Sequence, residues 1–113
     1  MTLETSRSEV KQLTARELKS MLDSKVELEL VDVRTGAERE IAIIAGSRHL
    51  DEEGREYLQS LPPETLLVFH CHHGMRSQTA ARQFLALGFS NVCNVVGGIE
   101  AWSADVDPSV PRY

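Results

Sequence analysis

The segment Val68-Phe69-His70-Cys71-His72-His73-Gly74-Met75-Arg76-Ser77 changes character twice. An apolar run, Leu66 to Phe69, reads as a buried strand. A glycine-bearing turn, Cys71 to Arg76, follows it, and a helical pattern begins near Ser77. Strand, tight loop and helix in this order place the loop at the carboxyl end of the strand, where backbone N–H groups and a helix N-terminus can surround one atom. If that atom is the Cys71 sulfur, the loop stabilises a thiolate, the reactive form of cysteine. The segment therefore points to nucleophilic sulfur chemistry at Cys71.

Outward from this segment, strand and helix patterns alternate. Towards the N-terminus, residues 1–8 read as a flexible polar leader and Glu9 to Leu13 as a short edge strand. Thr14 and Glu17 form a capping box that opens a helix to about Leu22. Leu28 to Val33 is a strand, Thr35 to Arg39 one helical turn, and Ile43 to Leu50 carries a short strand after Gly46. Asp51 to Leu61 is a helix stopped by Pro62-Pro63, and Thr65 to His70 is the central strand. Ser77 to Leu87 is an amphipathic helix with Ala80, Ala81, Phe84 and Leu87 on its buried face and Gly88 as its stop. Val92 to Val96 is the last strand, Gly97-Gly98 turns into a helix through Trp102, and residues 103–113 are an irregular tail. This alternation predicts an α/β fold, a three-layer, mainly parallel five-stranded sheet flanked by helices, in one domain over residues 9–113.

Composition narrows the function. The chain has 113 residues, 42% of them hydrophobic, enough for one real core. A net charge of -5 disfavours nucleic-acid binding, which needs a basic face, and requires a local patch to attract any anionic substrate. The two cysteines, Cys71 and Cys93, form no C-x-x-C pair, so neither dithiol chemistry nor a disulfide framework is expected. No apolar run is long enough to span a bilayer and no signal-peptide pattern is visible, so the sequence reads as soluble, cytoplasmic and without a membrane partner.

Three stretches in register carry a family resemblance. Cys71-His72-His73-Gly74-Met75-Arg76-Ser77 resembles the active-site loop of single-domain rhodanese-like sulfurtransferases. Leu30-Val31-Asp32-Val33-Arg34, with Glu38 and then Ile44-Ala45-Gly46-Ser47, is similar to the family's upstream motif. Val95 to Trp102, V-V-G-G-I-E-A-W, is similar to its downstream motif. The chain departs from the family at Ala42-Ile43-Ile44-Ala45-Gly46, where a Gly-His-Ile-Pro-Gly stretch is common. The tail, Asp107 to Tyr113, resembles the ends of rhodanese domains fused to enzymes that activate ubiquitin-like sulfur carriers.

The resemblance implies sulfur transfer through a Cys71 persulfide, from a small anionic donor such as thiosulfate to cyanide, a thiol or a sulfur-acceptor protein. The alternatives are a persulfide carrier that acts only with a partner protein, and a cysteine-dependent phosphatase or arsenate reductase. Cysteine phosphatases use C-x5-R; Cys71 to Arg76 is C-x4-R, a tighter loop that suits one extra sulfur better than a phosphoryl group. Within the loop, Gly74 lets successive N–H groups converge, and Met75 belongs with it to the substrate-binding set. Arg76 is read as an anion-binding residue or a solvated charge, Ser77 as a helix cap or an oxyanion donor. His72 and His73 add partial positive charge at the mouth or face solvent. Asp32 and Arg34 are read as structural support through paired hydrogen bonds. Cys93, in a strand pattern, is read as structural. The run His70 to His73 cannot converge on one ion and has no second ligand pair, so no metal and no other cofactor is expected.

Overall fold

A computed structural model describes residues 9–113; the polar leader expected over 1–8 lies outside the described residues. The elements are β1 Lys11–Leu13, α1 Ala15–Asp23, β2 Glu29–Asp32, α2 Gly36–Ile41, β3 Arg48–His49, α3 Glu52–Gln59, β4 Leu67–His70, α4 Met75–Ala86, β5 Val92–Val95 and α5 Gly98–Asp105. The five strands form one sheet in the order β1-β5-β4-β2-β3, every pair parallel.

The side-chain alternation of a strand sorts the core into two layers. Leu30, Val68, Cys93 and Val95 face one side, where Ala15 and Leu18 of α1 and Ile99 and Trp102 of α5 cover them. Val31, Leu67, Phe69 and Val92 face the other, under Leu58 of α3 and Ala80, Ala81 and Phe84 of α4. Both faces of β4 are therefore buried, which is why it reads as a continuous apolar run rather than an alternating one.

Local signals explain most of the boundaries. The Thr14–Glu17 capping box forms as expected, with the Glu17 amide donating to Thr14 at 3.0 Å and the Thr14 amide to Glu17 at 2.8 Å. A second box, Thr35 with Glu38, extends the expected single turn into the helix α2. The strand expected within Ile43 to Leu50 is only Arg48–His49. Helix α4 starts at Met75, two residues before the sequence reading, because Gly74 takes a left-handed φ of 104° and so becomes its N-cap. Leu87, expected on the buried face of α4, is 56% exposed. It caps the helix, and Gly88, also left-handed at φ 108°, returns the chain so that Phe89 packs on Phe84 instead. Helix α5 runs on to Asp105, so residues 103–105 of the expected tail are helical; Ser103 donates to the Val110 carbonyl at 2.6 Å and folds the remainder back.

The topology positions the site. From β2 the chain leaves outward to β3, and from β4 it leaves the other way to β5, so the carboxyl ends of these strands border a crevice. Register sets Asp32 of β2 beside His70 of β4 and Phe69 beside Asn94 of β5. Helix α5 closes the crevice from below: the Ile99 amide donates to the Cys71 carbonyl at 2.9 Å and the Glu100 amide to the His72 carbonyl at 3.1 Å. Only a glycine permits this approach at position 98, where φ is 58° and a Cβ would lie 2.5 Å from the His72 oxygen and against that of Cys71.

Gly98→Ala is accordingly expected to destabilise the chain by about 2 kcal/mol or more, through left-handed strain together with the carbonyl clash. Gly36→Ala, which has open space around the added methyl, is expected to be neutral or slightly stabilising. Urea unfolding of the two variants checks the contrast.

Candidate active site

The turn Cys71–Gly74 connects the end of β4 to the start of α4. The carbonyls of Cys71 and His72 are held by α5 and that of Gly74 by Asn94, and the amides that follow gather on the Cys71 sulfur. Gly74 N–H donates to Sγ at 3.1 Å, Ser77 N–H at 3.3 Å, and the Ser77 hydroxyl lies 3.3 Å away. Two of these donors belong to the first turn of α4, whose free N–H groups and dipole favour negative charge. Burial pushes the Cys71 thiol up. Hydrogen bonds from Ser77, from the Gly74 amide and from the His73 amide outweigh it, and the pKa falls below the ordinary thiol value. Cys93 shows the opposite case: buried in the α1–α5 layer without such donors, its thiol is pushed up. Both cysteines are free.

Ser77 is a buried residue on the inner face of α4, not its cap. Its hydroxyl also reaches Asn94 Oδ1 at 2.5 Å. The Asn94 amide nitrogen donates to the Gly74 carbonyl and to Gln12, both at 3.1 Å, so the line from Gln12 through Asn94 and Ser77 to Cys71 holds the back of the loop. A Cβ on Gly74 would press on the Gly97 nitrogen and the Val95 oxygen at 3.2 Å.

Cys71 is only 1% exposed and lies at the base of a cavity of about 220 Å³ lined by Cys71, His72, His73, Met75 and Arg76. Met75 stands 80% exposed on the rim. A concavity of about 730 Å³, lined by residues such as Lys25, Glu29, Glu64 and Asn91, lies at the amino ends of the strands and contains no cysteine or histidine. Volume alone would have misplaced the site.

The other expected residues fall into two groups. Asp32 and Arg34 lie under the loop as a fully buried ion pair: Arg34 Nε and Nη2 donate to Asp32 Oδ1 at 3.0 Å and Oδ2 at 2.8 Å, and Arg39 adds a further donor at 2.8 Å. Arg34 also donates to the Ala42 carbonyl at 2.6 Å and to Tyr113 Oη at 2.9 Å, tying β2, α2 and the tail together. Burial raises the Asp32 pKa, but the Arg34 hydrogen bonds outweigh that and hold it low. His70 faces this pair with its Nε2 3.9 Å from Asp32 Oδ2, too far for a hydrogen bond, and neither ring nitrogen has a partner. Burial pushes its pKa down to about 4.

The second group forms the rim. His73 stacks on His72 with ring centroids 4.0 Å apart, and His72 stacks on Tyr113 at 3.9 Å. Arg76 lines the cavity, but its guanidinium is turned onto Glu38. It donates Nη1 and Nη2 to Glu38 Oε1 and Oε2 at 2.8 and 2.9 Å, and the Glu38 carboxyl is thereby held well below its usual range. Among the described residues no three His, Cys, Asp or Glu side chains converge as metal ligands. Nor is any helix long and apolar enough to cross a membrane.

Asn94, Gln12 and Tyr113 were not singled out from sequence. Asn94 left a usable trace, a polar residue inside the strand pattern Val92-Cys93-Asn94-Val95; Tyr113, distant in sequence from the residues it contacts, left none.

A family model for the Rhodanese-like domain matches residues 14–105. The chain belongs to the rhodanese-like family. It is 36% identical over 75 residues to "Thiosulfate sulfurtransferase GlpE" of Pseudomonas aeruginosa, covering 66% of this chain and 68% of that protein. It is 35% identical over 104 residues to "Probable adenylyltransferase/sulfurtransferase MoeZ" of Mycobacterium tuberculosis, covering 89% of this chain but spanning about a quarter (26%) of that relative. Among solved structures, a rhodanese-like domain protein from Staphylococcus aureus superposes with a TM-score of 0.74 at 27% identity, covering 92% of this chain and 99% of that one. The first two of these relatives are named as sulfurtransferases.

Two outcomes are expected from the site's electrostatics. Alkylation of Cys93→Ser by a neutral reagent should show a Cys71 midpoint below that of an ordinary thiol, and Ser77→Ala should raise it, because it removes a hydroxyl whose one proton is shared between Sγ and Asn94 Oδ1. Stability should also fall as pH is lowered from about 6.5, the ordinary histidine value, towards about 4. In that window the unfolded chain binds a proton that folded His70 refuses, so folding weakens as pH drops. The depressed carboxylates of Asp32 and Glu38 add to the loss at the acid end of that window and below it, where the unfolded chain's carboxylates begin to bind protons. His70→Gln should flatten the slope in urea titrations at the neutral end of the window, leaving there the smaller part due to His72, whose pKa burial also lowers.

Proposed function

We propose that the chain transfers sulfane sulfur through a persulfide on Cys71, with thiosulfate as a competent donor and a thiol or a protein as acceptor. The observation that carries this reading is a sulfur held by Gly74 and Ser77 at the base of a cavity of about 220 Å³. That space admits a small donor, and the loop, one residue shorter than C-x5-R, offers its amides to sulfur rather than to a tetrahedral phosphate.

In the first half-reaction the Cys71 thiolate attacks the outer sulfur of thiosulfate. A Cys71 S–S bond forms, the donor's S–S bond breaks, and sulfite leaves with the electron pair. Charge remains on the outer sulfur of the persulfide, close to the α4 N-terminus and the loop amides, which stabilise it there. In the second half-reaction an acceptor nucleophile attacks that outer sulfur and Cys71 leaves as the thiolate, the form the loop stabilises. His72, His73, Gly74, Met75, Arg76 and Ser77 surround the path, with Gly74 and Ser77 acting on sulfur directly.

A protein acceptor is the second reading, favoured by the match of nearly the whole chain to a segment of a relative named both adenylyltransferase and sulfurtransferase. On this reading the chain is a persulfide carrier and a cytoplasmic protein presents the accepting group. Two free thiols suit such a reducing setting.

Intact-mass measurement after incubation with thiosulfate should show one added sulfur atom. Cys71→Ala should abolish it, Cys93→Ala should retain it, and aryl phosphates should not be hydrolysed appreciably. Sulfur that persists on Cys71→Ala, or efficient phosphate hydrolysis, would overturn the assignment.

A further inference from the structure

Of the residues lining the Cys71 cavity, Arg76 alone carries a permanent positive charge, yet its guanidinium is turned onto Glu38 through two hydrogen bonds. Glu38 is itself fixed. Its Oε1 accepts from the Thr35 amide at 3.0 Å and the Thr35 hydroxyl at 3.2 Å, as part of the capping box of α2. Its Oε2 accepts from Tyr113 Oη at 2.8 Å. Tyr113 is held in turn by Arg34 and by its stack on His72. The carboxylate is therefore anchored to the scaffold, and Arg76 is the partner brought to it. An anion entering the cavity competes for Arg76 with a carboxylate already in bidentate contact.

We propose that Glu38 is a specificity-determining residue of this site: by holding Arg76 at the rim it disfavours donors recognised through an anionic end, such as thiosulfate, relative to hydrodisulfides whose R group carries no charge and which react in the protonated form R–S–SH. This rests on the persulfide reading of Cys71 and names the donor class that it prefers. With a hydrodisulfide R–S–SH of a neutral thiol, the Cys71 thiolate attacks the outer sulfur. The Cys71 S–S bond forms, the donor's own S–S bond breaks, and RS⁻ leaves with the electron pair; the persulfide keeps the proton. No charged end needs Arg76. With thiosulfate the leaving group is sulfite, whose oxygens must either draw Arg76 away from Glu38 or remain unpaired.

The experiment compares kcat and KM for thiosulfate and for 2-hydroxyethyl hydrodisulfide in the wild type, in Glu38→Gln and in Tyr113→Phe. Glutamine keeps an acceptor for the Thr35 amide and removes the charge. Glu38→Gln is expected to lower the thiosulfate KM by roughly two- to fivefold, the range for a part-exposed ion pair, and to shift the ratio of kcat/KM towards thiosulfate. Tyr113→Phe loses the hydroxyl that anchors Oε2, keeps a ring to stack on His72, and should shift the ratio the same way by less. Sulfate, an inert anion, should protect Cys71 from a neutral alkylating reagent at lower concentration in both variants than in the wild type. The phenylalanine variant and this protection assay decide the matter should Glu38→Gln fail to fold. Sulfur loading with an unchanged ratio, or a ratio shifted towards the neutral donor, overturns the role of Glu38 alone. Failure of both donors to load Cys71 overturns the persulfide reading and this inference with it.

Discussion

Two hydrogen bonds that never touch the sulfur set its surroundings. The amides of Ile99 and Glu100, at the start of α5, hold the carbonyls of Cys71 and His72. A peptide plane fixed by its carbonyl has no freedom left for its N–H. With these carbonyls turned towards α5, the N–H groups of His72 and His73 are fixed, that of His73 lowering the thiol pKa, and the Gly74 and Ser77 amides at the start of α4 donate to the same sulfur. Two helix N-termini thus serve one turn, α5 as the clamp and α4 as the donor. The glycine at position 98 belongs to the first and that at 74 to the second.

The buried pair Asp32–Arg34 plays a comparable part on the other side. A buried ion pair is a weak source of net stability, because desolvation offsets the attraction. Here its value is geometric. Arg34 uses its guanidinium to join the end of β2 to the Ala42 carbonyl and to Tyr113, and Arg39 links the same carboxylate to Ser47. The saturated carboxylate has nothing left for His70, which stays unpartnered and neutral beneath the loop. The rim inherits its shape from this arrangement, since Tyr113 supports both Glu38 and His72.

How far sequence reached depended on whether a feature was local. The central strand, the turn and the cysteine within it could be read from adjacent residues, as could the Thr14 capping box. The equivalent Thr35–Glu38 box makes α2 longer than the single turn expected from its polar sequence. The start of α4 was misplaced because the positive φ of Gly74 lets a helix begin directly after it. Leu87 fitted the helical period but lies at the exit, where Phe89 takes the buried place. Arg76 was legible as a charge at the mouth. Its orientation was not, because it depends on Glu38 and Tyr113, residues brought close only by the fold.

The separation of the two thiols has a chemical consequence. Cys93 pairs in register with Val68, three residues before Cys71 on the neighbouring strand, and belongs to the layer beneath α1 and α5. Three residues along a strand is about 10 Å, beyond the reach of a disulfide between Cα atoms. Cys71 therefore has no resolving partner within the chain. Whatever sulfur or oxygen is added to it cannot be removed by an internal bridge, and each return to the thiolate depends on a nucleophile or reductant delivered from outside.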